Sequence, residues 1–257
     1  HHAGWTPFLH LIQRKLTEKL VKFVYYKPAD KMDQSGKGWL TQKPDDGHEV
    51  MEYGHRFQVD WEEGQKTGFF LDQRENRKKL ADFATGRTVL NTFSYTGGFS
   101  IYALKAGAQK VVSVDISQAA IDLANENARL NGLSEKHTGI TSDVLQYLKS
   151  EGGNFDIIIL DPPAFSKSRR TIHNAVQGYK RLNSKAISEI KSGGLIFTFS
   201  CSQHMTAQLF EDTIRAAAIE AGRPVRIVER LGQPADHPVN IYHPEGAYLK
   251  GLILAVD

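Results

Sequence analysis

The chain has little cysteine, no long apolar run and no excess of charge of either sign. Its single cysteine, Cys201, among 257 residues excludes an internal disulfide or a multi-cysteine metal site and fits a reducing cytoplasm. No apolar run approaches the roughly 20 residues of a membrane span, and no signal peptide is evident. Because 32 basic residues nearly cancel 29 acidic ones, only a local cluster can argue for nucleic acid. We expect a cytoplasmic protein without membrane or metal.

Helical and strand patterns alternate from Asp72 to the end of the chain. The predicted helices are 73–84, 99–106, 118–130, 174–190 and 206–221, and the predicted strands are 88–91, 110–115, one near Gly139, 155–160, 195–200, 225–231 and 248–256. This alternation predicts an α/β fold with a doubly wound, mostly parallel sheet. The last strand follows a loop without a helix, so we expect it to run antiparallel to its neighbour.

A small α+β unit is predicted ahead of this sheet. Its elements are an amphipathic helix over 6–23 with Thr6 as N-cap, a strand at 24–26, a hairpin turning at Tyr53-Gly54-His55, and a strand at 68–71. We predict a domain boundary between residues 62 and 63, with the main domain over 63–257.

The apolar run from Ile157 to Leu160 ends abruptly at Asp161-Pro162-Pro163. Four β-favouring residues in a row suit a strand that is buried on both faces of a parallel sheet. The prolines fix φ and lack a donor, so the strand must stop and the following loop is stiff. Ligands bind beyond the carboxyl ends of parallel strands, and we therefore expect Asp161 at a ligand site.

Two neighbouring strands carry features of a nucleoside-binding site. The first runs into Gly97-Gly98, whose backbone can approach a ligand at a helix N-terminus, and the second ends in Asp115, which can accept from both ribose hydroxyls. The G-x-G-x-x-G pattern that seats a pyrophosphate is missing. A cofactor without phosphates, such as S-adenosylmethionine, is favoured. Asp143 can accept from the adenine amino group, or it can simply cap a helix.

Several motifs together resemble the bacterial large-subunit ribosomal RNA cytosine methyltransferases. They are Leu71-Asp72-Gln73-Arg74, Asn91 through Ser100, Asp161 through Phe165, Phe199-Ser200-Cys201-Ser202 and Pro244-Glu245-Gly246. The resemblance runs from Gly64 to Val256. It implies a class I S-adenosylmethionine-dependent fold with seven strands, the last reversed. Members usually carry an N-terminal PUA-type RNA-binding domain and then a small central domain, inside which this chain is expected to begin.

The resemblance implies a set of cofactor residues. The cofactor set is Gln73, Arg74, Phe93, Ser94, Tyr95, Thr96, Gly97, Gly98, Asp115, Ile116, Ser117, Asp143, Asp161 and Pro162. Arg74 is expected to pair with the methionine carboxylate, although a plain surface helix start is the alternative. The RNA-contact set rests on charge instead: Phe165 is followed by Lys167, Arg169, Arg170, Lys180 and Arg181 with no acid among them. Such a run is usually a solvated face, but because it borders the catalytic loop we favour contact with RNA phosphates. Phe165 either stacks on an extruded base or anchors the loop.

Cys201 is the predicted nucleophile. Carbon 5 of a pyrimidine becomes nucleophilic only after a thiolate adds to carbon 6, so such an enzyme needs a positioned cysteine. The strand before Cys201 is expected to neighbour the strand before Asp161, and Asp161 would then hold the cytosine edge. A lone intracellular cysteine is also often just a small buried residue.

The base that removes the hydrogen from carbon 5 is sought in Asp236-His237-Pro238 and His243-Pro244-Glu245. We choose Glu245 as the first candidate and His243 and Asp236 as the next ones. A charged residue in a turn is, however, more often merely solvated.

Three classes of function remain open. The first is a cytosine carbon-5 methyltransferase of large-subunit ribosomal RNA, the expected partner. The second is an RNA nitrogen methyltransferase, since an Asp-Pro-Pro-aromatic terminus also occurs in such enzymes. The third is a non-catalytic RNA-binding assembly factor. The oligomeric state is undecided, with a homodimer as one alternative.

Overall fold

The computed structural model describes residues 8–19, 21–28, 37–43, 48–62, 64, 67–165 and 169–257. Two compact units are present: His1–Met51 with Arg56–Phe70, and Glu52–His55 with Leu71–Asp257. Among the residues so described, no helix is both long and apolar enough to cross a membrane.

The described residues before Leu71 form a helix and short antiparallel strand pairs. Their elements are α1 (Leu9–Thr17), β1 (Tyr25–Tyr26), β2 (Gly38–Trp39), β3 (Glu49–Glu52) and β4 (His55–Gln58), and the residues Glu52–His55 at the turn of the last pair belong to the second unit. β1 pairs with β2, and β3 pairs with β4 around the turn predicted at Tyr53-Gly54. Helix α1 is shorter than predicted, and the proposed cap Thr6 lies outside the described residues.

The predicted strand at 68–71 is wrong. Gly68 has a φ of +84°, which a strand does not allow, and Leu71–Gln73 form a single turn of 3-10 helix. A Cβ at Gly68 would stand 2.5 Å from the carbonyl oxygen of Asp60. The glycine therefore serves a close backbone approach, and the apolar pair Phe69-Phe70 is not a strand.

The second unit is built on one seven-stranded sheet in the order β10-β11-β9-β8-β5-β6-β7. Its strands are β5 (Thr88–Thr92), β6 (Lys110–Asp115), β7 (His137–Thr141), β8 (Ile157–Leu160), β9 (Gly194–Ser200), β10 (Val225–Gly232) and β11 (Lys250–Val256). β11 pairs antiparallel with both of its neighbours, β9 and β10, and the other strand pairs of this sheet are parallel. The predicted fold class and the reversed last strand are confirmed.

The helices of this unit are α2 (Arg74–Ala84), α3 (Gly98–Lys105), α4 (Gln118–Leu130), α5 (Val144–Glu151), α6 (Ile172–Glu189) and α7 (Ala207–Ala221). Five of the six agree with the predicted helices to within about two residues. α5 was not predicted, and its N-cap is Asp143, whose side chain accepts from the Gln146 amide at 2.9 Å.

Strand β8 is the centre of the core. Ile158 and Leu160 pack into the apolar cluster on one face of the sheet, with Tyr179 of α6. Ile157 and Ile159 pack into the cluster on the other face, with Leu80 of α2. Because all four side chains are fully buried, the strand is held on both faces, and the position of the following Asp161 is held with it.

Candidate functional site

Asp161 and Cys201 follow the carboxyl ends of two neighbouring strands of the sheet, β8 and β9. β8 pairs in parallel with β9, with Leu160 opposite Thr198, so the predicted adjacency of these two strands is confirmed. β5 pairs with β6 on one side and with β8 on the other. The strand order therefore reverses between β5 and β8, and the crevice at such a reversal is where open α/β sheets bind their ligands.

The loop after β5 has an unusual backbone. Phe93 and Tyr95 have φ values of 53° and 43°, in the left-handed region that costs a non-glycine residue roughly 1–3 kcal/mol. The loop is tied down because the Ser94 amide donates to the carbonyl of Val114 and Asn127 donates to the carbonyl of Thr96. Backbone strain of this kind concentrates at ligand sites.

Asp115 joins this loop to the end of β6. Its Oδ2 accepts from the Tyr95 amide at 3.1 Å and its Oδ1 from the Ser117 amide at 3.0 Å. A carboxylate has about four lone-pair sites, so both bonds leave acceptor capacity for two hydroxyls. The next side chain, Ile116, is 75% exposed, and Ser117 caps α4. The arrangement offers acceptors beside an uncovered apolar side chain.

Gly97 and Gly98 are also required by packing within the protein. Gly97 has a φ of +72° and a Cβ there would lie 3.0 Å from the Cβ of Ala124. A Cβ at Gly98 would lie 2.9 Å from Cδ of Arg77. The sequence interpretation considered only the approach of a ligand, and the structure adds this second reason.

Two buried oxygen atoms near the start of α2 and in the β5 loop have no hydrogen-bond partner among the described residues: Asp72 Oδ1 and Ser94 Oγ. Buried polar atoms are rarely left unpaired. Ser94 lies in the loop whose Tyr95 amide donates to Asp115, so its oxygen is available to a ligand beside that carboxylate. Asp72 accepts from the Tyr248 hydroxyl through Oδ2, and the sequence interpretation gave it no role although it stands in the quoted Leu71-Asp72-Gln73-Arg74 motif.

The predicted cofactor residues Gln73 and Arg74 are engaged within the protein. Gln73 is buried and accepts from Nδ2 of Asn76 at 2.6 Å. Arg74 forms ion pairs with Asp236 at 2.8 Å and with Glu75 at 3.2 Å. A contact between Arg74 and a carboxylate of the cofactor stays a prediction, and it would have to share the guanidinium with these partners.

Cys201 is partly buried and has neighbours that the sequence did not indicate. Its thiol interacts electrostatically with Tyr179, Tyr248 and Lys250. Burial raises the pKa of Tyr179, and burial with a hydrogen bond to Asp72 raises the pKa of Tyr248. Both phenols therefore stay protonated and neutral at physiological pH.

Phe165 follows Asp161-Pro162-Pro163 and packs on α6. The centroid of its ring lies 4.7 Å from that of Tyr179 in an edge-on arrangement. A Cβ added at Gly178 would lie 3.1 Å from Cδ2 of Phe165. The ring is still 37% exposed. The structure thus places it as an anchor along one edge, and stacking of its free area on a base stays a prediction.

The predicted cationic group is only partly described. Lys167 and the side chain of Arg169 lie outside the described residues. Arg170 and Arg181 are exposed, whereas Lys180 pairs with Glu220 of α7 at 2.8 Å. The acid that meets Lys180 lies 40 residues away in the sequence, so the pattern around α6 could not reveal it.

The candidate bases lie in the loop between β10 and β11. Glu245 is exposed and pairs with Nδ1 of His243 at 3.4 Å. Asp236 is tied to Arg74 and to His237, which lowers the pKa of its carboxyl, chiefly through His237. Glu245 is the acid of this loop that the protein engages least. Within the described ranges, no cluster of side chains could hold a metal ion.

A buried polar chain lies behind the β5 loop. Asn91 donates to Ser100 Oγ at 2.9 Å, Ser100 bonds Ser113 at 2.7 Å, and Ser113 bonds Nε2 of His137 at 2.8 Å. Burial lowers the pKa of His137 to about 4. The chain thus connects β5, α3, β6 and β7 through a neutral imidazole.

We expect this histidine to make the protein sensitive to acid. The pKa of His137 is about 4 in the folded protein, whereas the pKa of the same side chain in the unfolded chain is near 6.5. The unfolded chain therefore binds a proton first, so the free energy of unfolding is highest above pH 6.5 and decreases as the pH falls towards 4. His137→Gln should reduce the loss of unfolding free energy between pH 7 and pH 4.5 by about 2 kcal/mol, measured by urea denaturation. The exposed His173→Gln is the control, and equal pH dependence of wild type and His137→Gln would refute the assignment.

Comparison with known proteins gives a consistent result. A family model for S-adenosylmethionine-dependent methyltransferases matches residues 17–254. Ribosomal RNA large subunit methyltransferase I of Aeromonas salmonicida is 46% identical over 209 residues, 80% of this chain and 53% of that protein. The Alteromonas mediterranea protein of the same name is 45% identical and covers 85% and 56%. The chain spans about half the length of these relatives.

Solved structures show the same fold. SMU.776, in complex with SAH, superposes with a TM-score of 0.76 and 29% identity, covering 86% of this chain and 58% of that chain. Trm5b from Pyrococcus abyssi superposes with a TM-score of 0.71 at 22% identity and covers 99% of this chain and 70% of that one.

Proposed function

Because the chain belongs to the family of S-adenosylmethionine-dependent methyltransferases, we propose that it methylates carbon 5 of a cytosine in large-subunit ribosomal RNA. The observation that carries this proposal is Cys201 at the end of β9, beside the strand that ends in Asp161. The relatives named for large-subunit ribosomal RNA support the choice of RNA. We propose that residues 1–62 form a small domain and that the catalytic domain follows it in the sequence over 63–257. We also propose that the protein works in the cytoplasm.

The proposed chemistry uses a temporary covalent bond to the base. The Cys201 thiolate adds to carbon 6, and Asp161, in its protonated form, holds the base edge and gives its proton to nitrogen 3. Carbon 5 then accepts the methyl group that S-adenosylmethionine supplies when bound. A base removes the hydrogen of carbon 5, nitrogen 3 returns its proton to Asp161, and the carbon–sulfur bond breaks to release the thiolate. The completed cycle leaves Cys201 and Asp161 ready for another turnover.

The cofactor would lie across the ends of β5, β6 and β8. Asp115 is proposed to accept from the ribose hydroxyls, Ile116 to cover the adenine ring, and Asp143 to accept from the adenine amine with the oxygen that does not cap α5. The loop over 93–98, with the unpaired Ser94 Oγ, would meet the methionine portion. The proposed cofactor set is completed by Gln73, Arg74, Ser117, Asp161 and Pro162.

The RNA would approach over the loop that follows β8. Arg170 and Arg181 are exposed there and can neutralise phosphates, and we keep Lys167, Arg169 and Lys180 in the same proposed contact set. A cytosine within a helix has to leave the stack before its carbon 5 can meet the cofactor. The exposed part of the Phe165 ring is proposed to receive it.

Glu245 is proposed as the base that acts after methyl transfer. Its carboxylate is exposed beside His243 and is free to move towards a bound base. We expect Glu245→Gln to lower turnover about a hundredfold and to leave S-adenosylmethionine binding unchanged. The variant should also accumulate a covalent protein–RNA adduct, which migrates more slowly than the free protein in a denaturing gel. Glu245→Asp should recover part of the rate. Normal turnover by Glu245→Gln would remove this residue from the mechanism.

One experiment tests the function as a whole. The protein is incubated with unmodified large-subunit ribosomal RNA and S-adenosylmethionine labelled in its methyl group, and the RNA is then digested and mapped by mass spectrometry. The expected product is one labelled 5-methylcytosine. A label on nitrogen, or RNA that stays unlabelled while the cofactor binds, would overturn the proposal.

A further inference from the structure

A buried lysine lies beside the only cysteine of the chain. Lys250 begins β11 and is opposite Ser200 in the antiparallel register with β9, so it lies next to the residue that precedes Cys201. Its side chain is only 8% exposed. A lysine is almost never buried without a partner, and this one has no carboxylate among the partners that the structure records for it.

The ammonium group of Lys250 is held by backbone oxygens. Nζ donates to the carbonyl of Ser202 at 2.7 Å and to that of Tyr248 at 2.8 Å. A protonated lysine has three N–H donors, so these two bonds account for two of them. The carbonyl of Ser202 belongs to the residue that follows Cys201, and the lysine therefore spans the turn that carries the thiol.

We propose that Lys250 is a positioning residue that holds the negative charge of the Cys201 thiolate. A cation beside a cysteine favours the thiolate, which is the form that attacks carbon. Lys250 and Cys201 interact electrostatically, and the thiolate in turn favours the charged form of the lysine.

Three other titratable groups that the structure describes near the thiol carry no positive charge. Asp161, at the neighbouring strand end, carries the opposite charge, and its field reaches Tyr179 together with that of Cys201. The phenols of Tyr179 and Tyr248 are neutral because their pKa values are raised. Burial lowers the pKa of Lys250 to about 8, so the lysine is still mainly charged at neutral pH and loses its charge in mild alkali.

The ammonium group has a second consequence for the fold of the turn. Its bonds to Ser202 and Tyr248 join the end of β9 to the residues that enter β11. Replacing the lysine with methionine removes the charge and leaves two carbonyl oxygens without this donor. Glutamine removes the charge and keeps an amide donor on a side chain one atom shorter, which makes it the better test of electrostatics.

The test measures the thiol directly, because Cys201 is the only cysteine in the chain. Alkylation by iodoacetamide is followed by mass spectrometry from pH 6 to pH 10 in the wild type, Lys250→Gln, Lys250→Met and Lys250→Arg. We expect both neutral variants to react about tenfold more slowly at pH 7 and to shift the midpoint of the profile to higher pH. Lys250→Arg should stay near the wild type. The exposed Lys149→Met controls for general charge, and circular dichroism checks folding.

The inference rests on the proposed role of Cys201, but its test needs neither RNA nor cofactor. Unchanged alkylation in a folded Lys250→Gln would overturn it, whatever that variant does to RNA. A slower, shifted profile supports it even if the protein fails to methylate carbon. Failure of this inference can therefore be told apart from failure of the proposed function. If Lys250→Met does not fold, Lys250→Gln and Lys250→Arg still decide the matter.

Discussion

Cys201→Ala is expected to lower the rate of methyl transfer to RNA by at least about a thousandfold, because the carbon to be methylated is not nucleophilic until sulfur has added to the ring. The side chain is only partly buried, and the residues on either side, Ser200 and Ser202, are fully buried and hold the turn. We therefore expect the variant to fold. Single-turnover transfer of a labelled methyl group measures the rate.

Cofactor binding should be unaffected by the same change. The proposed cofactor contacts come from residues before α2 and from the ends of β5, β6, β7 and β8, whereas Cys201 follows β9. Calorimetry with S-adenosylmethionine should give wild-type affinity for Cys201→Ala. This separates a lost nucleophile from a damaged fold, since a distorted site would lose both binding and transfer.

The serine variant decides between two kinds of methyl acceptor. A hydroxyl is a far weaker nucleophile than a thiolate near pH 7, so Cys201→Ser should be nearly as inactive as Cys201→Ala in a carbon-5 enzyme. A nitrogen methyltransferase would keep its turnover in both variants, because the lone pair of a nitrogen needs no sulfur adduct. Retained turnover would therefore favour an RNA nitrogen methyltransferase, the function that Asp161-Pro162-Pro163 suggests when it is considered alone.

The sequence predicted the parts of the fold that depend on local pattern. Helix α4 was predicted at its observed bounds, Gln118–Leu130, and the structure adds that Ser117 caps it. Strand β8 and the stop at Asp161 follow from an apolar run ended by prolines. The predicted strand at 68–71 was wrong because a backbone contact to Asp60 decides the conformation of Gly68, and no local pattern records that contact.

The surroundings of the candidate site depend on pairings between distant segments. Lys250 reads as an ordinary polar residue at the start of a strand, and only the register that sets it opposite Ser200 buries it beside Cys201. Asp143 was weighed as a cofactor acceptor or as a helix cap, and the structure shows that it caps α5, a helix that the sequence interpretation did not predict. Strand adjacency could be predicted from fold class, whereas side-chain partners across strands could not.

We expect the loss of one partner from a buried ion pair to be among the most destabilising changes in the second unit. Arg77 of α2 donates to Glu52 through Nε at 2.9 Å and through Nη2 at 2.8 Å, and Tyr102 of α3 donates to the same carboxylate at 3.0 Å. The two charged side chains are only 4% and 6% exposed. Burial and the nearby carboxylate raise the pKa of Tyr102, so its hydroxyl stays a donor. The Cδ of Arg77 also fills the space that glycine leaves at position 98.

Removing one partner of this pair should therefore be costly. Arg77→Ala leaves the Glu52 carboxylate buried with only Tyr102, and we expect the free energy of unfolding to fall by about 3–5 kcal/mol, measured by urea denaturation. Arg129→Ala is the matched control, because Arg129 makes the same two-pronged contact with Glu126 at the surface and should cost no more than about 1 kcal/mol.

The double variant shows where that cost arises. Replacing both partners with apolar residues of similar size, as in Glu52→Leu with Arg77→Met, removes the attraction and also the unpaired charge. We expect it to be clearly more stable than Arg77→Ala, although the Tyr102 hydroxyl then loses its acceptor. If the double variant were as unstable as Arg77→Ala, burial of an unpaired carboxylate would not be the cause of that instability.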